Sequence, residues 1–132
     1  HLVLAEAGPN AVATFALGSD GTLTPLAEAA TGQAGTCWVV AADGELYLSN
    51  AGSGTVSSYS VARNGALTAD GTTAADAGTV DAAVSSDGRF LYVQAGAAGK
   101  VDAFRIGAHG ALTPLGSVTV PGAVGAQGIV AL

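Results

Sequence analysis

The chain has 132 residues and a formal net charge of -6 at neutral pH, from four Lys and Arg against ten Asp and Glu. This acidic balance lacks the basic stripe that binds a phosphate backbone, so we exclude a nucleic-acid partner. No apolar run approaches the roughly 20 residues that a membrane-spanning helix needs, so we expect no membrane span.

The predicted strands come in three copies of one pattern. Each copy has two short apolar strands, a turn that ends in Gly, and a third strand that begins with Leu-Thr. The copies repeat every ~44 residues, a period that is typical of propellers, solenoids and helical arrays. In chain order the first two strands of the copies are predicted at residues 2–6 and 12–17, 46–50 and 55–61, and 90–95 and 100–106. The turns are Asp20-Gly21, Asn64-Gly65 and His109-Gly110.

The pattern inside each repeat favours β-structure over helix. Apolar residues alternate with polar ones in "TVSSYSV" (55–61) and "KVDAFRI" (100–106), as in half-buried strands. Asn-Gly or Asp-Gly between two such runs is a strong hairpin signal. A fourth strand is expected in "CWVVAA", "DAAVSS" and "GIVAL" (128–132). We therefore predict an all-β chain without long helices, built of three four-stranded propeller blades that form part of a ring. The predicted repeats are 1–45, 46–89 and 90–132.

The run "SSDGRFLYVQAG" followed by "KVDAFRI" and "HGALTPLGSV" resembles the repeat of a known family. It is similar to the lactonase family of seven-bladed β-propellers, which includes bacterial 6-phosphogluconolactonase. The resemblance covers the whole chain and implies a C-terminal three-blade portion that ends on an innermost strand. It also implies sugar-lactone hydrolysis at the axial mouth. The Arg-His pair that such lactonases can carry just before an innermost strand has no counterpart in any copy, which argues against hydrolysis by this stretch.

The candidate site residues are positions where a repeat departs from its own pattern near the expected axis. Glu6 aligns with Asn50 and Ala95, and is either a solvated rim charge or a group aimed at a ligand. Other candidates stand at or just before the innermost strands, and the alignment pairs Thr36-Cys37 with Val80-Asp81 and Ala126-Gln127. Trp38 either stacks on a sugar ring or packs between blades. The predicted ligand-binding residues are Glu6, Cys37, Trp38, Asp81 and Gln127.

Other motifs do not indicate a metal or a cofactor. Asp43-Gly44 and Asp87-Gly88 lack further carboxylates at ligand spacing and are interpreted as hairpin turns. The Gly-rich stretch 52–54 precedes neither a Lys-Ser/Thr nor a helix, so no phosphate loop is predicted. His1 and His109 have no ligating neighbours in sequence. Cys37, the sole Cys, would need a nearby His to act as a nucleophile, and a small buried hydrophobe is the alternative.

Two functions remain open. The first is a non-catalytic extracellular binding or assembly module, and the alternative is the C-terminal part of a sugar-lactone hydrolase, so catalysis itself is undecided. Hydrophobic residues make up 49% of the chain and charged residues only 11%, so we expect a partner to cover apolar surface. The expected partners are the remaining blades of the same protein or another copy of the chain, with a small carbohydrate or lactone as ligand. The absence of Met and the first residue, His1, suggest a fragment or cleaved product. Few Lys among many Ala, Gly, Ser and Thr residues favours secretion, with a cytoplasmic location as the alternative.

Overall fold

The computed structural model describes residues 1–132, which form eleven β-strands and one short 3-10 helix, Ala108–Gly110. No helix is therefore long and apolar enough to cross a membrane. The strands are β1 (Leu2–Glu6), β2 (Ala11–Leu17), β3 (Leu23–Ala30), β4 (Thr36–Ala42), β5 (Glu45–Asn50), β6 (Thr55–Val61), β7 (Leu67–Ala74), β8 (Thr79–Val84), β9 (Phe90–Ala95), β10 (Lys100–Ile106) and β11 (Leu112–Thr119).

The strands form three antiparallel sheets in which each strand pairs with its neighbours in sequence. Blade 1 consists of β1, β2 and β3, blade 2 of β4 to β7, and blade 3 of β8 to β11. The ladder between the second-last and last strands of each blade is interrupted by one bulged residue, at Leu26, Asp70 and Leu115. The recurrence of the bulge at one position confirms that the copies are structural repeats. The predicted all-β propeller portion is confirmed.

The turns form where the sequence supplies residues that tolerate a positive φ. Between β4 and β5, Asp43 and Gly44 have φ values of 50° and 86°, and Ala42 pairs directly with Glu45. Two consecutive left-handed residues are what a tight two-residue hairpin of this kind requires. The Asp-Gly signal therefore encodes a turn, as predicted.

One predicted strand does not form. Residues 128–132 have no strand pairing, and blade 1 has three strands where four were expected. The backbone N–H of Gly128 is bonded to Asp81 on β8, so this segment lies beside blade 3. The free edge of β1 belongs to blade 1, and no strand of the chain pairs with it. An extended apolar segment without a partner edge cannot complete a ladder, which explains the difference.

Apolar side chains between adjacent blades make up the core. Between blades 1 and 2, Val12 packs with Leu46, Leu48 and Tyr59. Between blades 2 and 3 a second cluster contains Tyr47, Val56, Ala82, Leu91, Val93 and Phe104. The interior therefore consists of two inter-blade seams, and each blade depends on its neighbour for burial.

Hydrogen bonds add a specific register to these seams. The Thr14 hydroxyl of blade 1 donates to the Gly65 carbonyl of blade 2 at 2.7 Å. The Asn10 side-chain oxygen accepts from the backbone N–H groups of Gly35 and Thr36, at 2.7 and 3.1 Å. These bonds fix how far one blade can slide along the next.

Candidate functional site

The inner strands β4 and β8 each begin with a bulge that redirects a side chain. Cys37 is the extra residue between Thr36 and Trp38, and Val80 is the extra residue between Thr79 and Asp81. Bulges of this type re-aim side chains and are frequent beside binding sites. The starts of the inner strands are therefore, besides the outer ladders, a second place with locally irregular geometry.

The strand registers correct the predicted alignment of these positions. Trp38 pairs with Ser49, and Asp81 pairs with Gln94. Trp38 and Asp81 are therefore equivalent, whereas the sequence alignment had placed Cys37 opposite Asp81. The sequence alignment was displaced because the connections after the inner strands differ in length. The β4–β5 turn has two residues, and the connection between β8 and β9 is longer.

Cys37 lies between blades 2 and 3. Its Sγ is 3.7 Å from the Thr79 carbonyl oxygen and 3.6 Å from that of Val80, so the thiol spans the seam. The side chain is exposed, which contradicts the interpretation as a small buried hydrophobe. Partial burial and the nearby Asp81 carboxylate raise the pKa of the Cys37 thiol. A thiol held in its protonated form is a weak nucleophile, so this environment does not activate it.

Trp38 is 45% exposed at the junction of blades 1 and 2. With Cys37 it lines a cavity of ≈ 240 Å³, whose other wall is the β1 segment Val3–Ala5. An exposed indole beside apolar side chains offers a flat surface for a ring. Trp38 thus combines partial packing against β1 with a face open to solvent.

Asp81 is buried, and both of its carboxylate oxygens accept backbone hydrogen bonds. Oδ1 accepts from Ala82 N–H and Oδ2 from Gly128 N–H, each at 2.8 Å. The second bond places Gln127, an exposed residue next to Gly128, in the segment anchored at the inner strand of blade 3. Asp81 therefore holds residues 127–128 at this inner edge.

Glu6 ends β1, as Asn50 ends β5 and Ala95 ends β9, which confirms that the three positions are equivalent. Its Oε2 is buried without a hydrogen-bond partner. A buried carboxylate oxygen without a donor is costly, so it marks a place where an external donor would be favourable. The structure brings Cys37, Asp81 and Gln127 into one region, whereas no hydrogen bond joins Glu6 to them.

Two further polar residues at this end were not predicted. Ser49 and Gln94 are the cross-strand partners of Trp38 and Asp81, and the Ser49 Oγ and Gln94 Oε1 atoms are buried without partners. They occupy equivalent places in blades 2 and 3, where blade 1 has Ala5. The replacement of a small apolar residue by polar ones in a repeat alignment is the signal that could have found them.

A second polar cluster lies at the other end of β5. Glu45 and Tyr47 lie on the same face of this strand as Ser49, and the Glu45 Oε2 and Tyr47 OH atoms are buried without partners. Burial, followed by the charge of Asp70, raises the pKa of Glu45. Burial, reinforced mainly by Glu45, raises the pKa of Tyr47 to about 12. The seam between blades 2 and 3 thus carries buried oxygens along the whole length of β5.

An ion pair also links blade 2 to blade 3. Lys100 Nζ is 2.9 Å from Asp76 Oδ2, and this contact holds the pKa of Asp76 below its ordinary value. The buried Asp102 carboxylate accepts from Asp76 N–H at 2.7 Å, and burial raises the pKa of Asp102. These groups connect β10 to the segment after β7, so we assign them a structural role.

Solved structures identify the architecture that these blades build. A proposed 6-phosphogluconolactonase from Bacteroides fragilis superposes with a TM-score of 0.80 at 22% identity, over 88% of this chain and 35% of that protein. The chain has the lactonase-like β-propeller fold. The periplasmic gluconolactonase of Pseudomonas aeruginosa matches with a TM-score of 0.74 at 23% identity, over 89% of this chain and 37% of that one. A protein of unknown function from Desulfotomaculum acetoxidans matches with a TM-score of 0.79 at 17% identity, over 92% and 40%.

The chain spans well under half the length of these solved proteins. No protein-family model and no curated protein sequence matches it. The comparisons therefore establish the blade architecture of the chain, and the site has to be argued from its own residues.

Proposed function

We propose that the chain is a non-catalytic binding portion of a lactonase-like propeller, and that its inner strands bind a neutral, hydroxyl-rich small molecule such as a carbohydrate or a lactone. The observation that carries this proposal is the bonding of Asp81. Both oxygens of this buried carboxylate are engaged by backbone donors, so it positions the chain at the inner edge instead of reaching a ligand.

The chemistry of the neighbouring groups also favours binding over catalysis. Water attack on an ester carbonyl needs a general base and a donor that stabilises the oxyanion. The raised pKa of Cys37 disfavours a thiolate. The inner-strand starts carry no Arg, Lys or His, because the basic residues of the chain are His1, Arg63, Arg89, Lys100, Arg105 and His109.

Trp38 and Glu6 supply the contacts that a sugar-like ligand uses. The exposed indole of Trp38 offers a face on which the C–H groups of a sugar ring stack. Ala5, the neighbour of Glu6, lines the same cavity as Trp38. Glu6 does not line this cavity and its unpaired Oε2 is buried, so we propose that the side chain turns toward the ligand and accepts a hydrogen bond from a ligand hydroxyl. The carboxylate also disfavours an anionic ligand, so the neutral lactone binds better than the acid.

Fluorescence titration with D-glucono-1,5-lactone tests this proposal, because Trp38 is the sole tryptophan of the chain. We expect the lactone to change the Trp38 emission in a saturable way. Glu6→Gln should weaken binding about tenfold, as expected for a lost hydrogen bond to a charged group. The matched control is Glu28→Gln, on the exposed outer strand β3, which should bind as the unsubstituted chain does. Unchanged emission, or equal affinity in the Glu6 variant, would contradict the proposal.

Lactone hydrolysis is the second candidate, and its support is the likeness to proteins named as lactonases. In that case the base and the oxyanion donor would come from blades other than these three. Hydrolysis of the lactone above the spontaneous rate by a polypeptide that contains further blades, and not by this chain alone, would favour this candidate. The periplasmic location named for the Pseudomonas protein supports the proposal that this chain is also exported.

A further inference from the structure

The outer turn of blade 2, between β6 and β7, carries the dipeptide Asn64-Gly65. The chain has three Asn residues, and the other two, Asn10 and Asn50, each precede Ala. Asn64 is exposed, whereas Asn50 is buried. A glycine that follows an asparagine has no Cβ to shield its backbone nitrogen from the side-chain amide of that asparagine. Asn64 is therefore the Asn residue best placed for attack by its own backbone.

Local hydrogen bonds hold both reacting groups in the folded turn. The backbone N–H of Gly65 donates to the Ala62 carbonyl at 2.8 Å. The Oδ1 atom of Asn64 accepts from the Ala66 N–H at 3.1 Å. Gly65 has a φ of 83°, as the left-handed residue that follows a turn of this kind requires. The nitrogen and the side-chain amide are thus both engaged, so the turn has to open before they can react.

The same turn is docked against blade 1. The Thr14 hydroxyl donates to the Gly65 carbonyl at 2.7 Å in a buried bond. A Cβ on Gly65 would lie 2.9 Å from the Cβ of Leu26, so the Leu26 side chain leaves the turn no room to rearrange on that side. Blade 2 packs against a blade on each side. Opening of the turn therefore requires its separation from blade 1.

We propose that Asn64 is a self-deamidation site and that the docking of blade 1 controls the rate of the reaction. The Gly65 nitrogen gives up its proton to hydroxide and forms a bond to the side-chain carbon Cγ of Asn64. The bond between Cγ and the amide nitrogen breaks, and this nitrogen takes up a proton from water and leaves as ammonia. Water then opens the resulting cyclic imide at either carbonyl, which gives aspartate or isoaspartate. The balance is one water consumed and one ammonia released.

The docked turn should make this reaction slow. Because the reaction proceeds from open states of the turn, its rate follows how often the turn leaves blade 1. The modification is independent of the proposed ligand, which binds at the inner strands.

The outer turn of blade 1 shows that the aspartate product fits the fold. Asp20 occupies in blade 1 the place that Asn64 occupies in blade 2. The Thr22 N–H donates to Asp20 Oδ1 at 3.1 Å, and the Gly21 N–H donates to the Gly18 carbonyl at 3.0 Å. These two bonds repeat those of the turn in blade 2, so an aspartate at position 64 can keep that turn.

The isoaspartate product does not fit in the same way. Its main chain runs through Cγ and is one carbon longer between residue 64 and Gly65. The longer chain displaces the Gly65 carbonyl from the Thr14 hydroxyl, and Leu26 leaves no room for the shift. Isoaspartate should therefore loosen the seam between blades 1 and 2.

Peptide mass spectrometry after incubation at mildly alkaline pH tests the proposal, with isoaspartyl peptides separated by chromatography. We expect deamidation at Asn64 and at neither Asn10 nor Asn50. Thr14→Ala should speed the reaction about fivefold, as expected for the loss of one hydrogen bond. The matched control is Ser58→Ala, which should react at the unsubstituted rate. Ser58 is the blade 2 equivalent of Thr14, and its hydroxyl lies 3.4 Å from a carbonyl of its own blade.

Two further samples separate undocking of the turn from misfolding of the variant. Thr14→Ser keeps a hydroxyl and should restore the slow rate. The chain unfolded in guanidinium chloride has no docked turn and should react faster than any folded variant. Equal rates in the folded and unfolded chain, equal rates in Thr14→Ala and the unsubstituted chain, or unmodified Asn64 in both would overturn the proposal.

The stability of the two products tests the effect on the seam. Asn64→Asp should unfold at the same denaturant concentration as the unsubstituted chain, whereas the isolated isoaspartyl form should unfold at a lower one. Equal midpoints for Asn64→Asp and the isoaspartyl form would overturn the loosening of the seam by isoaspartate.

Discussion

The carboxylate of Asp81 accepts a 2.8 Å hydrogen bond from the backbone N–H of Gly128, which lies 47 residues later in the chain. This bond joins the inner strand of blade 3 to the segment that follows its outermost strand. Asp81 thereby determines where residues 127–132 begin, although they form no ladder with blade 3.

Asp81→Ala should release this segment without unfolding the blade. Amide hydrogen exchange at Gly128 should become about tenfold faster or more, since a hydrogen bond to a charged group contributes about 1.5–3 kcal/mol. The control is Asp87→Ala, in the exposed turn between β8 and β9, where the carboxylate contacts Ser85 and Arg89. Equal exchange at Gly128 in both variants would show that the Asp81 bond does not hold the segment.

Glu45→Gln should stabilise the chain at neutral pH. The folded-state pKa of Glu45 is raised above its ordinary value of 4.5, chiefly by burial. The folded state therefore binds the proton more tightly than the unfolded state. The stability that this tighter proton binding contributes is fully present below the unfolded-state pKa of Glu45, and it is lost as the pH rises through the folded-state pKa.

Because glutamine cannot ionise, the Glu45 variant should have a higher Tm than the unsubstituted chain at neutral pH. The difference should shrink on acidification, which thermal unfolding at a series of pH values will measure. Glu28→Gln, on the exposed strand β3, should show no such pH-dependent gain. A Glu45 variant that is less stable at neutral pH would contradict the assignment of a destabilising buried charge.

The Cys37 thiol should react slowly with alkylating reagents despite its exposure. Burial is the main cause of its raised pKa and the Asp81 carboxylate is a second one, so its pKa lies above the ordinary 9.0. The rate of iodoacetamide modification, followed against pH, should have its midpoint above that value. Asp81→Asn should shift the midpoint downward, because the neutral amide removes the repulsion of the thiolate. A midpoint below the ordinary value would indicate an activated cysteine.

Gly78→Ala should be more destabilising than Gly21→Ala, although both glycines have a positive φ, 76° and 84°. A Cβ at Gly78 would lie 2.6 Å from the backbone nitrogen of Ala97, whereas a Cβ at Gly21 has nothing within 4 Å. The Gly21 change should cost about 1 kcal/mol for the left-handed conformation alone. The Gly78 change should cost at least ~1 kcal/mol more, for the displaced backbone. Urea denaturation of both variants measures this difference in the free energy of unfolding. Equal losses in the two variants would contradict the close approach of Ala97, which follows β9, to Gly78 in the β7–β8 connection.

The strands and turns could be predicted because alternation and Asn-Gly or Asp-Gly signals are local. The inner strands were harder, since Ala-rich β4 and β8 carry little pattern and the following turns differ in length. This difference displaced the alignment by one residue and paired Cys37, instead of Trp38, with Asp81. The predicted strand at 128–132 does not form. Its apolar pattern is that of a strand, but the segment lies beside blade 3, whereas the free edge with which it was expected to pair is β1 of blade 1.

The candidate site was predicted only in outline. Departures from the repeat led to Asp81 and Cys37, which lie close together, and their role in ligand binding stays a prediction. The sequence gives no sign that Asp81 would be engaged by a backbone N–H 47 residues away. Ser49 and Gln94 were overlooked, although the repeat alignment sets them against Ala5, because polar residues in a strand normally indicate its solvent face.

The strand order has a consequence for how the chain folds. Every ladder joins strands that are adjacent in sequence, so each sheet can form from local contacts before the blades dock. Local contacts keep the loop-closure entropy small and favour fast folding for a β-protein. Because blade 2 packs against a blade on each side, it should be the last of the three to lose its structure.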